Sequence, residues 1–507
     1  MLTGDMLRRS AARFPDKPAV IRDGAVTSYA ALEGLSNRCA RALIAAGLRK
    51  GAKVAIICRN RTEYAVAFFG AARSGAVLVN VSVLLSGDEL AFVLAKADVE
   101  LALVEAPFLE RVKALRDRLP KLRQVVAIGD AADGFAAFLD GHPDTPPDIA
   151  LSEDDPFCMT YTGGTTGRPK GVLASHRNRA VTAHTVVVEE RLEARDVVGI
   201  LTPMFHVAAL NIMFQPAILV GATTVMMTKW DPAAFVDLAA ATGMTAAFMV
   251  PTQAAMLLQS PALDPVALAR FRKLSFAGAP MPDWVQKGLM ERLPDLALTQ
   301  IYGQSEVGVL TALPHWELPA KIPSVGRQAY NVDVALVDRT GNPVPPGELG
   351  EIVSRGDNVM LEYYNEPEQT AEAMRGGWLW TGDVARMDAD GCIYLVDRSK
   401  DMMISGGENV YPKEIENALY DLPEVAECAV FGIPDDKWGE VPAAYIALHP
   451  GADLTEAQVS AHCEARLARF KRPRLVKFVQ DFPKTPIGKI QKNILRAPYW
   501  TKGDTGR

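Results

Sequence analysis

Residues 53–81 read as strand, helix and strand, and this alternation limits the fold more than any other feature of the chain. Residues 53–58 form a buried, largely aliphatic strand pattern, 61–74 a helical run stopped by Gly75, and 76–81 the next strand. Ser86-Gly-Asp-Glu89 has capping-box spacing ahead of another helix, and 99–104 and 124–128 are further short apolar runs. A β-α-β order predicts a parallel sheet with helices on its faces, and loops that bind phosphate at the carboxyl ends of the strands.

The chain has 507 residues, too many for one ordinary core, so two or more domains of roughly 100–200 residues are expected. Residues 141–155 are rich in Pro and Asp and read as a surface connection, and 156–162 as a strand entering a Gly/Thr-rich loop. Alternating α/β texture continues to about 320. From 325 it gives way to short strands between Gly/Pro turns (332–337, 350–354, 392–396). From about 399 a helix pattern at 414–422 and a strand pattern at 426–433 suggest a small α+β domain.

Charge and cysteine content narrow the function classes. Lys plus Arg total 54 against 60 Asp plus Glu, a net −6, which argues against a general grip on nucleic acid. The six cysteines show neither CxxC nor zinc spacing, so a reduced, cytoplasmic interior is expected. The start, Met1-Leu-Thr-Gly-Asp5, lacks the apolar core of a signal peptide. The apolar stretch 245–258 is broken by Pro251 and Gln253, so no membrane span is expected.

Tyr161-Thr-Gly-Gly-Thr-Thr-Gly-Arg-Pro-Lys170-Gly171 is the segment that announces chemistry. Glycines let backbone N–H groups turn toward an anion, while threonine hydroxyls and a lysine add donors and charge. The segment fits neither a Walker loop nor GxGxxG. It resembles the signature loop of the AMP-forming adenylating superfamily: acyl-CoA synthetases, peptide-synthetase adenylation domains and luciferases. Gly163-Gly164 stands where that family usually has Ser-Gly, so one hydroxyl is missing. The resemblance implies that Thr162, Gly163, Gly164, Thr165, Thr166, Gly167 and Lys170 hold ATP phosphates, with Thr165 acting in catalysis.

Further motifs follow in the family's order and extend the resemblance over nearly the whole chain. Tyr302-Gly-Gln-Ser-Glu306 resembles YGxTE: Tyr302 would stack on adenine, Gly303, Gln304 and Ser305 would line the nucleotide, and Glu306 would hold Mg²⁺. Trp380-Thr-Gly-Asp383 and Asp397-Arg-Ser-Lys-Asp401 resemble segments in which Asp383 and Arg398 take the ribose and Lys400 is the hinge. Ser405-Gly-Gly-Glu-Asn409 would bring Gly407 to the pantetheine arm of coenzyme A. Pro483-Lys-Thr-Pro-Ile-Gly-Lys489-Ile resembles the motif of the catalytic lysine, Lys489. That motif also resembles sites of lysine acetylation, implying an acetyltransferase and a deacetylase as partners. Asp436-Lys-Trp-Gly439, with Trp438, and Phe470-Lys-Arg-Pro-Arg474 resemble segments that line coenzyme A.

What the resemblance implies as a whole is a large N-terminal domain (1–398) of parallel α/β subdomains with a β-rich part at about 325–398. A mobile α+β domain (399–507) follows. The implied reaction is acyl-adenylate formation from a carboxylic acid and ATP, then thioester formation with coenzyme A. A homodimer is left open. Met204-Phe205-His206 resembles the motif that flanks the carboxylate, and the apolar run 207–214 the helix beside the acyl pocket. His206 stands where amino-acid-activating members carry Asp, and no Arg lies in 203–217, so amino acids and dicarboxylates fit poorly. Phe276-Ala-Gly-Ala-Pro280 and Val250-Pro-Thr252 resemble pocket-lining segments, with Gly278, Ala279 and Pro280 beside the nucleotide. The expected acid is a medium- or long-chain fatty acid. An aryl or alicyclic acid of the ferulate or benzoate kind is the alternative, as is transfer of the adenylate to a carrier protein.

Overall fold

The computed structural model describes residues 1–129, 134–162, 169–279, 281–398, 401–405, 408–435, 437–484 and 490–500. The chain divides into two compact units. The described residues of Met1–Thr162, Pro169–Val334 and Ser354–Leu379 make the larger; Ala335–Val353 and the described residues from Trp380 to Trp500 make the smaller.

Two sheets organise the larger unit. The seven-stranded sheet has the order Glu362–Tyr363, Lys170–Ser175, Pro156–Thr162, Val77–Asn80, Lys53–Ile57, Val99–Glu105, Gln124–Ile128. Its last five strands run parallel, as the β-α-β rhythm predicts. The intervening helix, Thr62–Ser74, ends on Gly75 at φ 74°, a left-handed cap that costs glycine nothing. The capping box forms: Ser86 Oγ accepts from the Glu89 N–H, and Glu89 Oε2 from the Ser86 N–H at 2.8 Å. Alternate strand residues (Ala55, Ile57, Val77, Val79) pack against Leu90 and Leu94 of that capped helix.

The second sheet has nine strands. Val197–Ile200, Ala246–Met249, Lys273–Phe276 and Ala297–Gln304 are parallel neighbours at its centre. Phe235, Leu257, Leu274, Phe276 and Leu289 are wholly buried around it, each contributing about 1.5–3 kcal/mol by leaving water. All four strands therefore point their carboxyl ends toward one edge.

In the smaller unit, residues 383–387 of the strand Trp378–Met387 pair antiparallel with Ile393–Arg398. A five-stranded sheet carries the antiparallel pair Val425–Asp435 and Gly439–Leu448, covered by helices Pro412–Tyr420 and Glu456–Arg466 around Ile415, Leu419, Val430, Ile446 and Val459. All six cysteines are buried and none is in a disulfide. No helix among the described residues is long and apolar enough to cross a membrane.

One buried acid sets a pH dependence. Glu190 caps the helix His176–Glu189, and burial pushes its carboxyl up to about 8, with Ser275 and Lys273 opposing and Glu189 adding to the rise. Because the folded value is raised, the neutral acid's contribution is complete below the ordinary carboxylate range and is lost as pH climbs through 8. Glu190→Gln is expected to melt several degrees above the unsubstituted protein at pH 9 and close to it at pH 5. Melting curves at the two values check this.

Candidate functional site

The strands on either side of the Gly/Thr-rich segment pair with each other. Pro156–Thr162 and Lys170–Ser175 pair antiparallel, with Thr162 directly opposite Lys170. One rung thus holds two of the seven predicted phosphate-binding residues. Gly163, Gly164, Thr165, Thr166 and Gly167 lie outside the described residues. On the outer side, the two-residue strand Glu362–Tyr363 pairs with Lys170–Ser175, placing Tyr363 opposite Val172.

Four of the predicted segments leave the carboxyl ends of the nine-stranded sheet. Met204-Phe205-His206 follows Val197–Ile200, Val250-Pro-Thr252 follows Ala246–Met249, and Gly278 and Ala279 follow Lys273–Phe276. A Cβ built on Gly278 would lie 3.9 Å from Val250 Cγ1, so the two pocket segments are neighbours. Pro280 lies outside the described residues. Tyr302 to Glu306 closes the hairpin between Ala297–Gln304 and Gly308–Leu313, with Tyr302 buried and Gln304 opposite Gly308. Gly303 is required there. A Cβ on it would stand 1.8 Å from the Gly308 carbonyl oxygen, a backbone atom that cannot yield.

Glu306 is held from two directions. Its side-chain Oε1 accepts from Tyr363 Oη at 2.8 Å, and its carbonyl accepts from the Met360 N–H at 2.7 Å. Lys170 Nζ lies 4.7 Å from the centre of the same Tyr363 ring. The predicted cation of the loop and the predicted metal-holding acid are therefore gathered on one aromatic side chain. A carboxylate oxygen is a hard donor of the kind Mg²⁺ takes.

Burial pushes the His206 imidazole down to about 4, so it is neutral at neutral pH. Its Nδ1 accepts from the Ala208 N–H at 3.4 Å, which leaves the proton on Nε2. The group is then a neutral donor suited to a carboxylate or acyl oxygen. Asn60 fixes the loop that carries it. Its Nδ2 donates to the carbonyls of Thr202 at 2.9 Å and Met227 at 3.0 Å, and its Oδ1 accepts from the Met204 N–H at 2.8 Å.

The run after His206 is helical, but Ala208–Phe214 is a π-helix rather than the α-helix its apolar pattern suggests. Wide turns of this kind are rare and concentrate at functional sites. Within it Asn211 is 1% exposed, yet neither its Nδ2 nor its Oδ1 has a partner among the described residues.

In the smaller unit, Asp383 sits directly across from Arg398, so the two predicted ribose positions share one rung. The strand at Gly382 is fixed by its N–H donating to Glu351 Oε1 at 2.9 Å and by Thr381 Oγ1 donating to the Ile352 carbonyl at 2.8 Å. Lys400, Gly407 and Lys489 lie outside the described residues, but the strands and bridges that flank the last two are described. Met403–Ser405 pairs with Glu408–Val410, and Ser405 also pairs with Gly439. Lys484 bridges Ile490, and the Gln491 N–H donates to the Pro483 carbonyl at 2.8 Å, closing the base of the Lys489 loop. Arg469, Arg472 and Arg474 line a cleft of about 180 Å³ in the same unit, together with Glu464, which pairs with Arg472 at 2.5 Å.

Tyr363, Asn60 and Asn211 were not among the residues expected from sequence. Asn60 had a faint signal, a polar residue just past an apolar strand. Tyr363 had none, because its role depends on an edge strand of two residues.

The model of the AMP-binding enzyme family matches residues 7–364, and that of the AMP-binding enzyme C-terminal domain matches 414–489. A feruloyl-CoA synthase of Amycolatopsis sp is 38% identical over 493 residues, 97% of this chain and 98% of that one. A long-chain-fatty-acid–CoA ligase of Mycobacterium tuberculosis is 35% identical over 500 residues, 98% of each. The ATP-bound crystal structure of MatB from Rhodopseudomonas palustris aligns with TM-score 0.90 at 29% identity, covering 98% of this chain and 99% of that one. With a parallel-sheet site of this make-up and relatives matched along their whole length, the chain belongs to the AMP-binding enzyme family and is an AMP-forming acid–thiol ligase.

Proposed function

We propose that the chain joins coenzyme A to a monocarboxylic acid whose body carries an oxygen substituent, an aryl acid of the feruloyl type. The carrying observation is Asn211, a buried amide with neither end partnered among the described residues, in an otherwise apolar run that resembles the family's acyl-pocket helix. A buried polar group without a partner costs about 1–3 kcal/mol, so a hydroxyl or ether oxygen of the substrate would relieve it. The 38% identical feruloyl-CoA synthase supports the same reading. A plain fatty acid is the second reading, supported by the long-chain ligase relative.

The chemistry runs in two steps. The substrate carboxylate attacks the α-phosphorus of ATP, and the bond to pyrophosphate breaks. The coenzyme A thiolate then attacks the acyl carbon, and AMP leaves. Lys489, Thr165, Thr166 and Lys170 would meet the charge that builds on the phosphates, Asp383 and Arg398 would hold the ribose, and His206 would donate to the acyl oxygen. Glu306 would hold Mg²⁺, which supplies positive charge against the phosphates. A hinge at Lys400, dividing 1–398 from 399–507, would exchange the Lys489 face of the small domain for the Gly407 face between the steps.

The test is AMP release with coenzyme A over ferulate, cinnamate, benzoate and palmitate. Ferulate is expected to exceed cinnamate. Asn211→Leu is expected to lower kcat/KM for ferulate by about tenfold while changing cinnamate little. Palmitate as the best acid, with Asn211→Leu silent on the ferulate-to-cinnamate ratio, would move the assignment to the fatty-acid reading.

A further inference from the structure

We infer that Tyr363 is a positioning residue for adenylation, aiming Glu306 through its hydroxyl and Lys170 through its ring. The inference rests on the reading of Glu306 as the metal-holding carboxylate.

The geometry is specific at both ends of the side chain. Tyr363 Oη donates to Glu306 Oε1 at 2.8 Å, and Lys170 Nζ stands 4.7 Å from the ring centre. A phenol orients a carboxylate by hydrogen bonding without cancelling its charge, which a lysine or arginine in the same place would do. The ring face attracts an ammonium through its quadrupole, again without neutralising it. One side chain thereby touches an anion and a cation without adding a charge of its own to either.

The backbone around Tyr363 is built to keep it there. The Leu361 N–H donates to the Leu173 carbonyl and the Tyr364 N–H to the Gly171 carbonyl, each at 2.8 Å. From the other side come the Met360 N–H to the Glu306 carbonyl at 2.7 Å, and Asn358 Nδ2 to the Val307 carbonyl at 2.9 Å. Residues 358–364 thus stitch the signature hairpin of one sheet to the Glu306 turn of the other. The next residues anchor the far end. Tyr364 Oη donates to Asp98 at 3.1 Å, Lys53 lies 4.6 Å from the Tyr364 ring, and Lys96 pairs with Glu366 at 2.7 Å.

Tyr363→Phe, Tyr363→Leu, Glu306→Gln and the double variant Tyr363→Phe/Glu306→Gln separate the possibilities in the full-length protein. Two readouts are needed: the Mg²⁺ concentration that half-saturates pyrophosphate exchange, and ATP binding by calorimetry with Mg²⁺ or with EDTA. Tyr363→Phe is expected to raise the half-saturating Mg²⁺ about tenfold, with the rate recovered by added Mg²⁺, and to weaken ATP binding only when Mg²⁺ is present. Tyr363→Leu is expected to weaken ATP binding in EDTA as well, because Lys170 loses its seat. In the Glu306→Gln background, Tyr363→Phe is expected to add less than about twofold. A Mg²⁺ requirement shifted by Glu306→Gln but not by Tyr363→Phe overturns the inference and leaves Glu306 as the metal residue. Independent, multiplying effects in the double variant overturn it too. If Glu306→Gln itself leaves the Mg²⁺ dependence of ATP binding unchanged, the Glu306 reading falls and the inference with it.

Discussion

Lys489→Ala is expected to lower pyrophosphate release from acid plus ATP by about 10²- to 10³-fold, the effect of removing one preorganised charge from a phosphoryl-transfer site. The same variant is expected to convert supplied acyl-AMP and coenzyme A to thioester at close to the unsubstituted rate. The asymmetry follows from what each step demands. Attack at phosphorus builds negative charge on the bridging and leaving oxygens, which a lysine ammonium meets. Thioester formation moves charge at the acyl carbon, with AMP as leaving group. The loop that bears Lys489 is closed at its base by the Lys484–Ile490 bridge, so a single truncation there leaves the surrounding chain supported. Separate assays of the two half-reactions decide it. Normal pyrophosphate release, or equal loss of both steps, would remove Lys489 from its assigned role.

Gly303→Ala is expected to cost about 3 kcal/mol or more in stability and to abolish adenylation. The added methyl would meet the Gly308 carbonyl oxygen at 1.8 Å, far inside contact distance, with Gly308 carbon at 2.8 Å. Neither atom belongs to a flexible side chain. The hairpin must therefore open, and with it go the Gln304–Gly308 pairing and the placement of Glu306. Overpacking of a tight site ordinarily costs about 1–3 kcal/mol, and a backbone obstruction sits at the top of that range or above. Denaturant melts alongside nucleotide-binding titrations check both halves. A Gly303→Ala protein with unchanged melting and ATP affinity would contradict the geometry.

Elements whose cause is local were legible in the sequence. The 124–128 and 156–162 strands match the observed Gln124–Ile128 and Pro156–Thr162, because a short apolar run between turn residues has few other uses. The Ser86 capping box needed four residues and no partner elsewhere. Motif positions were legible through family resemblance, and several then proved to share rungs or neighbours: Thr162 with Lys170, Asp383 with Arg398, Gly278 with Val250. What could not be read depends on distant chain. Tyr363 reaches Glu306 from 57 residues away through a two-residue edge strand that no periodicity reveals. The π-helix was hidden because apolar residues packed on every side give the same pattern for either helical pitch.

That wide helix makes the acyl end of the site a matter of residue count as much as residue type. A π turn holds about one residue more than an α turn over the same ring. Losing one residue between Ala208 and Phe214 would let the segment tighten to α pitch, with the flanking turns close to their present phase and the residues inside the segment turned to new faces. Asn211 would then leave its present face, and a different neighbour would take it. A single in-frame codon loss could thus rewrite which acids this scaffold accepts while sparing the nucleotide machinery. Related ligases could diverge in substrate by length changes in this stretch, with no substitution at all among the residues that handle ATP.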